Sequence, residues 1–156
     1  MTQGSGNTAS GYSFAQGTKN SARVYSFTQG ISNYSLSSLA QGSANSASNL
    51  SIALGVKNSA NDNSFALGSA NTATNGSFAL GVKNSAREYV AVFGKYNLHG
   101  NGLTTTGDSA AFAIGDGVAT ARHDLMLVTK DGEIRTYSST ADTTGLPIIA
   151  TLRAIS

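Results

Sequence analysis

Cysteine and tryptophan are absent from this sequence, and proline occurs once. Without thiols the chain can build neither a disulfide framework nor a zinc or iron–sulfur site based on thiolates. Charged residues make up only 12% of the chain and aromatic residues only 8%. The fold must therefore be stabilised by backbone hydrogen bonds and by the packing of small side chains.

Targeting and membrane signals are also missing. The N-terminal stretch MTQGSGNTAS has neither the basic region nor the apolar run of a secretory signal. No apolar run approaches the roughly 18 residues of a membrane span. The net charge of +2 is small, and the chain lacks the dense basic stripe of a nucleic-acid binder. We therefore expect no membrane insertion and no nucleic-acid partner.

Glycine, by contrast, is abundant and periodic. Intervals of thirteen residues, with one of twelve, separate Gly4, Gly17, Gly30, Gly42, Gly55, Gly68, Gly81 and Gly94. An asparagine stands three residues after a glycine at Asn7, Asn20, Asn33, Asn45, Asn58, Asn71 and Asn84. A thirteen-residue period is too short for a helical-hairpin repeat. It fits one coil of a parallel β-solenoid.

Each repeat also contains a segment such as Ser64-Phe65-Ala66-Leu67-Gly68, in which large and small side chains alternate. This alternation predicts a strand with two different faces, and a second short strand should run through the Asn-Ser-Ala segment. We expect Phe65 and Leu67 to fill the interior of the coil and the Ala and Ser face to pack against identical chains. The reverse assignment is the alternative.

The fold class is therefore predicted to be all-β, with seven coils in residues 1–94 that span roughly 34 Å at the spacing of paired strands. The asparagines should form a ladder of side-chain amides along the axis. A coil of thirteen residues encloses only a thin interior, and one chain buries little apolar surface. We therefore expect identical chains to associate.

The repeat pattern, for example Asn58-Ser59-Ala60 through Phe65-Ala66-Leu67-Gly68, resembles the head repeats of YadA-like trimeric autotransporter adhesins over about residues 4 to 94. The resemblance implies a left-handed parallel β-roll, a homotrimer and a role in attachment. The chain departs from that family because it shows no heptad stalk, membrane anchor or signal peptide.

The remainder of the chain is similar to the end of such arrays in phage and prophage tail-fibre proteins. There a short β-rich unit closes the roll. We predict an insertion loop at residues 95–108, then an eighth coil, a β-hairpin and a C-terminal cap within residues 109–156. The hairpin is expected because Lys130-Asp131-Gly132 lies between two β-prone runs.

These resemblances predict a structural and adhesive fibre segment of a phage or phage-like tail, located in the virion tail. Its partners would be a cell-surface glycan or protein receptor and the adjoining fibre or tail proteins. One alternative is the head domain of a secreted trimeric adhesin on a bacterial cell surface. Two others are a glycan-cleaving tailspike and a purely mechanical connector.

Candidate residues for chemistry are few, and we expect neither an enzyme nor a cofactor. No motif selects a catalytic pair among the nonrepeated acids Asp108, Asp116, Asp124, Asp131, Glu133 and Asp142, and turns are a common place for Asp. His99 and His123 are too isolated in sequence to predict a metal site.

Candidate residues for binding form two groups. The insertion contains Tyr96, Asn97, His99 and Asn101, which could stack on sugars and bond to hydroxyls. Lys83, Arg87 and Tyr89 could form a basic and aromatic patch for a glycan or an acidic polymer. Plain solvated loops are the alternative reading of both groups.

Overall fold

The structure, a computed structural model, describes residues 1–97, 110–118, 122, 124–130 and 132–136, and the backbone of 146–147. Every regular element within this part of the chain is a β-strand. Strands of about five residues alternate with strands of three up to residue 95. The prediction of an all-β solenoid with about seven turns and thirteen-residue coils is confirmed.

The longer strands of the coils are β1 (Thr2–Ser5), β3 (Phe14–Thr18), β5 (Phe27–Ile31), β7 (Leu39–Ser43), β9 (Ile52–Val56), β11 (Phe65–Ser69), β13 (Phe78–Val82) and β15 (Ala91–Lys95). The three-residue strands are β2 (Thr8–Ser10), β4 (Ser21–Arg23), β6 (Tyr34–Leu36), β8 (Ser46–Ser48), β10 (Ser59–Asn61), β12 (Thr72–Thr74) and β14 (Ser85–Arg87). Beyond the coils follow β16 (Ala110–Asp116), β17 (Asp124–Thr129), β18 (Ile134–Thr136) and β19 (Leu146–Pro147).

Each coil contributes one strand to each of two parallel sheets, which we call the long sheet and the short sheet. Equivalent residues pair from coil to coil, so that Phe65 lies between Ile52 and Phe78. Because the register never shifts within the coils, each position of the repeat becomes a continuous column along the axis. The strand β16 extends the long sheet in parallel, and β17, β18 and β19 then add in antiparallel orientation.

The interior between the two sheets is lined by alanine, so the predicted assignment of faces is wrong. Ala66 and Ala73 are fully buried, whereas Phe65 is 40% exposed on the outside of the long sheet. A thirteen-residue coil draws its two sheets too close together for a phenylalanine to fit between them, and interiors pack without room to spare. Alanine fits, so the large side chains point outward.

Glycine is required where the long strand turns. Gly55 has a φ of 118°, and a Cβ at this position would lie 2.1 Å from the carbonyl oxygen of Gly68 in the next coil. No other residue avoids both the backbone strain and that clash. Lys57, two residues after Gly55, adopts the left-handed conformation with a φ of 56°. Its N–H donates to the carbonyl of Ser43 at 2.8 Å.

The twelve-residue interval lies at a corner and leaves the strands intact. The sequence places the shortened segment around residues 31–36, but Tyr34–Leu36 pairs normally with β4. The missing residue falls between β6 and β7, where the corner consists of Ser37 and Ser38, whereas the corner of the next coil has three residues, 49–51. Because the deletion lies outside the strands, both sheets keep their register.

The regular coil continues past the predicted start of the insertion at residue 95. Lys95 is the last residue of β15, and the N–H of Tyr96 donates to the carbonyl of Val82 at 3.0 Å, as equivalent corner residues do in earlier coils. The remainder of the predicted insertion, from residue 98, lies outside the described residues. Larger apolar side chains are also buried toward this end of the coils and beyond it, namely Val90, Val92 and Leu127. No helix capable of crossing a membrane occurs in the described residues.

Candidate functional site

The asparagine column runs along the inside of the solenoid. The side-chain amide of Asn58 donates to the carbonyls of Leu54 at 2.7 Å and of Gly68 in the next coil at 2.8 Å. Its backbone N–H donates to the side-chain oxygen of Asn45 in the preceding coil at 2.9 Å. The same arrangement recurs at Asn20, Asn33, Asn45, Asn71 and Asn84, with Asn7 at the half-buried N-terminal end. These amides are occupied within the fold and are not available to a ligand.

Asn97 extends this column by one coil. It is 2% exposed, and its side-chain oxygen accepts from the N–H of Ser85 at 2.7 Å while its amide donates to the carbonyl of Ser85 at 2.9 Å. The sequence signal was present, since Asn97 stands three residues after Gly94. Because its side chain is buried and engaged, we remove Asn97 from the candidate surface residues.

A serine column that the sequence analysis missed forms a second set of bonds between coils. The N–H of Ser64 donates to Oγ of Ser51 at 3.1 Å, and the N–H of Ser77 donates to Oγ of Ser64 at 3.2 Å. The column ends where Val90 donates its N–H to Ser77 but offers no hydroxyl. The sequence signal was a serine directly before each long strand that begins with a large residue. From the sequence alone this serine looks like a small spacer, because its hydrogen bonds form only between stacked coils.

The candidate binding residues are regrouped by the fold. The ammonium nitrogen of Lys83 lies 5.2 Å from the centre of the Tyr96 ring, at the corner before β14. Arg87 is the last residue of β14, and Tyr89 lies at the opposite corner with 76% of its surface exposed. The predicted patch of Lys83, Arg87 and Tyr89 is therefore spread over both ends of β14. His99 and Asn101 lie outside the described residues.

The outer face of the long sheet carries two adjacent columns of large side chains, which we call the apolar stripe. The first column holds Phe14, Phe27, Leu39, Ile52, Phe65, Phe78 and, after an interruption at Ala91, Phe112, and the second holds Leu54, Leu67, Leu80, Phe93 and Ile114. Neighbouring rings contact one another, with centroids 5.4 Å apart for Phe78 and Phe93. All of these side chains remain partly exposed.

Toward the N-terminal end the second column becomes polar. Gln16 donates its side-chain amide to Gln3 at 2.7 Å, and Gln29 and Gln41 continue the same ladder at the same distance. The stripe is therefore bordered by hydrogen-bonded amides over the first coils and is apolar across both columns from Leu54 onward.

A groove opens at the corner that follows the short strands. It encloses about 340 Å³ and is lined by Asp62, Asn63, Asn75, Gly76, Glu88 and Tyr89. Three successive coils contribute to it, each through its pair of corner residues. It combines an exposed aromatic ring with carboxylates and amides, and one of the candidate binding residues, Tyr89, lines it.

The nonrepeated acids are scattered where they are described. Glu133 pairs with Arg135 at 2.7 Å, Asp116 is exposed at the end of β16, and Asp124 is buried at the start of β17. Asp108, Asp131, Asp142, His99 and His123 lie outside the described residues. Within the part that is described, no three His, Cys, Asp or Glu side chains come together as metal ligands would.

Comparison of the chain with protein-family models, with curated proteins and with solved structures found no match.

Proposed function

We propose that this chain is an adhesive segment of a homotrimeric fibre, of the kind found in phage or phage-like tails. The observation that carries the proposal is the apolar stripe along the outer face of the long sheet. Contiguous exposed apolar surface on a soluble protein marks an interaction site. A stripe that follows the axis for the length of the coils suits a partner that is equally long.

A second and third copy of the chain fit this requirement. The columns of the stripe repeat at the spacing of paired strands, so a parallel copy presents rows with the same period. Three chains around an axis parallel to the coils would turn all three stripes inward. The resemblance of the repeats to YadA-like heads supports that number and a left-handed coil.

The alanine interior strengthens the argument for assembly. Fully burying a Leu or Phe side chain stabilises a protein by about 1.5–3 kcal/mol, and alanine contributes much less. In the coils up to β13 the large apolar side chains of the long strands are left partly exposed, as at Phe65 and Leu80. Covering the stripe would therefore add hydrophobic stabilisation that the alanine interior does not supply.

The role in adhesion is proposed for the surfaces that such a trimer leaves outside. These include the corners with Lys83 and Tyr96 and with Arg87 and Tyr89. Each would occur three times, and repeated weak contacts give avidity to a cell-surface glycan or protein. We propose that the antiparallel strands beyond β16 close the roll and face the adjoining fibre or tail protein, and that the chain is located in a virion tail.

Light scattering tests the assembly. The mass in solution should be near three times the 15.8 kDa of one chain. Replacing Leu67 and Leu80 together by Gln, the residue that this column carries at Gln41, should shift the population toward smaller species. The matched control, Ser59→Gln on the outer face of the short sheet, should leave the trimer intact. A wild-type monomer would contradict the proposal.

Adhesion is tested separately with fluorescently labelled wild-type protein on intact bacterial cells. Saturable binding that excess unlabelled protein displaces is the expected result. A trimer that binds no cell tested would favour a mechanical connector.

A further inference from the structure

The groove beside Tyr89 has a built aromatic wall. A Cβ at Gly76 would lie 2.7 Å from Cδ1 and 2.8 Å from Cε1 of the Tyr89 ring. The ring therefore rests against the backbone of the coil before it, in space that only glycine leaves free. It is nonetheless largely open to solvent, since Tyr89 is 76% exposed.

The base of the groove is held by bonds between coils. The N–H of Tyr89 donates to the carbonyl of Asn75 at 3.0 Å, and the N–H of Gly76 donates to the carbonyl of Asp62 at 2.8 Å. Both corners are thereby fixed in the left-handed conformation. The backbone that carries the groove residues is held by these bonds. Little backbone conformational entropy should therefore be lost when a ligand binds.

The two carboxylates of the groove differ in their partners. Asp62 accepts hydrogen bonds from the amides of Asn49 and Asn61, each at 2.7 Å. Oxygen Oε2 of Glu88 is buried and has no hydrogen-bond partner among the described residues. A carboxylate oxygen without a partner is costly. Because Oε2 is shielded from solvent, a hydroxyl of a ligand can supply the missing donor only when the Glu88 side chain turns toward the groove.

We propose that this groove binds one neutral hexose unit of a cell-surface glycan. The inference rests on the proposed adhesive function and names its ligand class. The apolar face of the sugar ring lies on Tyr89, one hydroxyl donates to Glu88, and further hydroxyls meet the amides of Asn63 and Asn75. The volume of about 340 Å³ lies within the range of small-ligand sites.

The lining selects against other ligands. Asp62 and Glu88 repel an anionic sugar such as a uronic acid. A cationic side chain of a protein partner could pair with Glu88 and lie on the ring. Ammonium and guanidinium groups only donate hydrogen bonds, however, whereas the exposed amides of Asn63 and Asn75 can themselves donate to an acceptor. Sugar hydroxyls both donate and accept, which matches all of these groups.

Saturation-transfer NMR with the intact protein tests the proposal. The probes are the methyl glycosides of glucose, galactose and mannose, with methyl glucuronide as the anionic comparison and arginine amide as the cationic one. At least one neutral glycoside should bind with a millimolar Kd, and methyl glucuronide should bind several-fold more weakly than methyl glucoside.

Two variants remove the site in different ways. Tyr89→Ala removes the exposed ring, and Gly76→Asn places a side chain where the ring now lies while tolerating the left-handed backbone. Each should weaken glycoside binding at least tenfold. The control is Tyr12→Ala, at the same position in the repeat and 84% exposed, which should bind as the wild type does. Circular dichroism checks that each variant is folded.

Three results would overturn the inference. These are no transfer to any neutral glycoside, equal losses in Tyr12→Ala and Tyr89→Ala, and binding of arginine amide at Tyr89 without binding of a sugar. A wild-type trimer that binds cells but no glycoside would leave the adhesive function standing and remove only this site. A protein that binds glycosides through Tyr89 but never binds cells would leave this sugar site standing and remove the adhesive function.

Discussion

At the scale of single residues, the two alanine columns of the interior carry polar side chains in one coil, and there both facing positions are polar. Most coils place two alanines opposite each other, as with Ala15 and Ala22, but one coil has Thr28 and Ser35. Both are fully buried, and their hydroxyls are hydrogen-bonded to each other. A backbone carbonyl at 3.4 Å from each hydroxyl offers only a weak substitute. The two substitutions therefore compensate for one another.

This pairing predicts non-additive effects on stability. Thr28→Ala or Ser35→Ala alone should lower the free energy of unfolding by about 1–2 kcal/mol per chain, because the remaining hydroxyl stays buried without a good partner. The double variant restores an Ala-Ala pair like that of the neighbouring coil and should cost less than the sum of the two. Urea unfolding of the four proteins measures the coupling.

The control for this cycle is Thr8→Ala, which removes an exposed threonine on the short sheet and should change stability by less than about 0.5 kcal/mol. Additive effects of the two interior substitutions would show that the hydroxyls are not coupled.

At the scale of elements, corners accept changes in length and strands do not. The corner at Ser37 has one residue fewer than the corner at Asn49 and Leu50, and the pairing of β5 with β7 is unaffected. A strand has a side-chain period of two, so the loss of one strand residue exchanges its inner and outer faces. The alanine interior would then receive a phenylalanine or leucine.

We therefore predict opposite outcomes for two single-residue deletions in the same coil. Deleting Leu50, which is 74% exposed, leaves a two-residue corner like that of Ser37 and Ser38 in the adjacent coil. This variant should fold, with a loss of about 1 kcal/mol for one hydrogen bond between coils. Deleting Ala53 from β9 should abolish the fold. Far-UV circular dichroism and thermal unfolding distinguish the two, and equal tolerance would mean that the register is not set by the interior.

At the scale of the whole molecule, the composition of the chain changes along the axis. Hydrogen-bonded glutamines border the stripe in the first coils, and leucine and phenylalanine replace them from Leu54 onward. The interior is alanine for most of its length and reaches valine only at Val90 and Val92. We expect contacts between chains to be most apolar toward the C-terminal coils and more hydrated at the other end.

If unfolding includes dissociation of three chains, the Tm should depend on protein concentration. A tenfold increase in concentration stabilises each chain of a trimer by about 1 kcal/mol and should raise the Tm by about 2–4 °C. Thermal unfolding followed by circular dichroism over two decades of concentration measures this slope. A Tm that is independent of concentration would contradict assembly through the stripe.

Much of the fold could be derived from the sequence because its causes are local and repeated. The spacing of the glycines indicates a repeated backbone turn at which a Cβ atom does not fit, as the close approach of Gly55 to Gly68 illustrates. Asparagine in a constant position after each glycine reports carbonyls that must be bonded at that turn, and Asn58 bonds to two of them. Alternation in SFALG reports strands. Each of these signals is independent of how the two sheets come together.

The tertiary structure decided the features that depend on distances between elements. Alternation defines two faces but not which is inside, and only the narrow gap between the sheets selects Ala66 over Phe65 for the interior. Likewise, Lys83 joins Tyr96 from the next coil, and Tyr89 joins Gly76 from the preceding one. Residues thirteen apart become neighbours because coils stack in register, so the apolar stripe and the groove exist only in the folded chain.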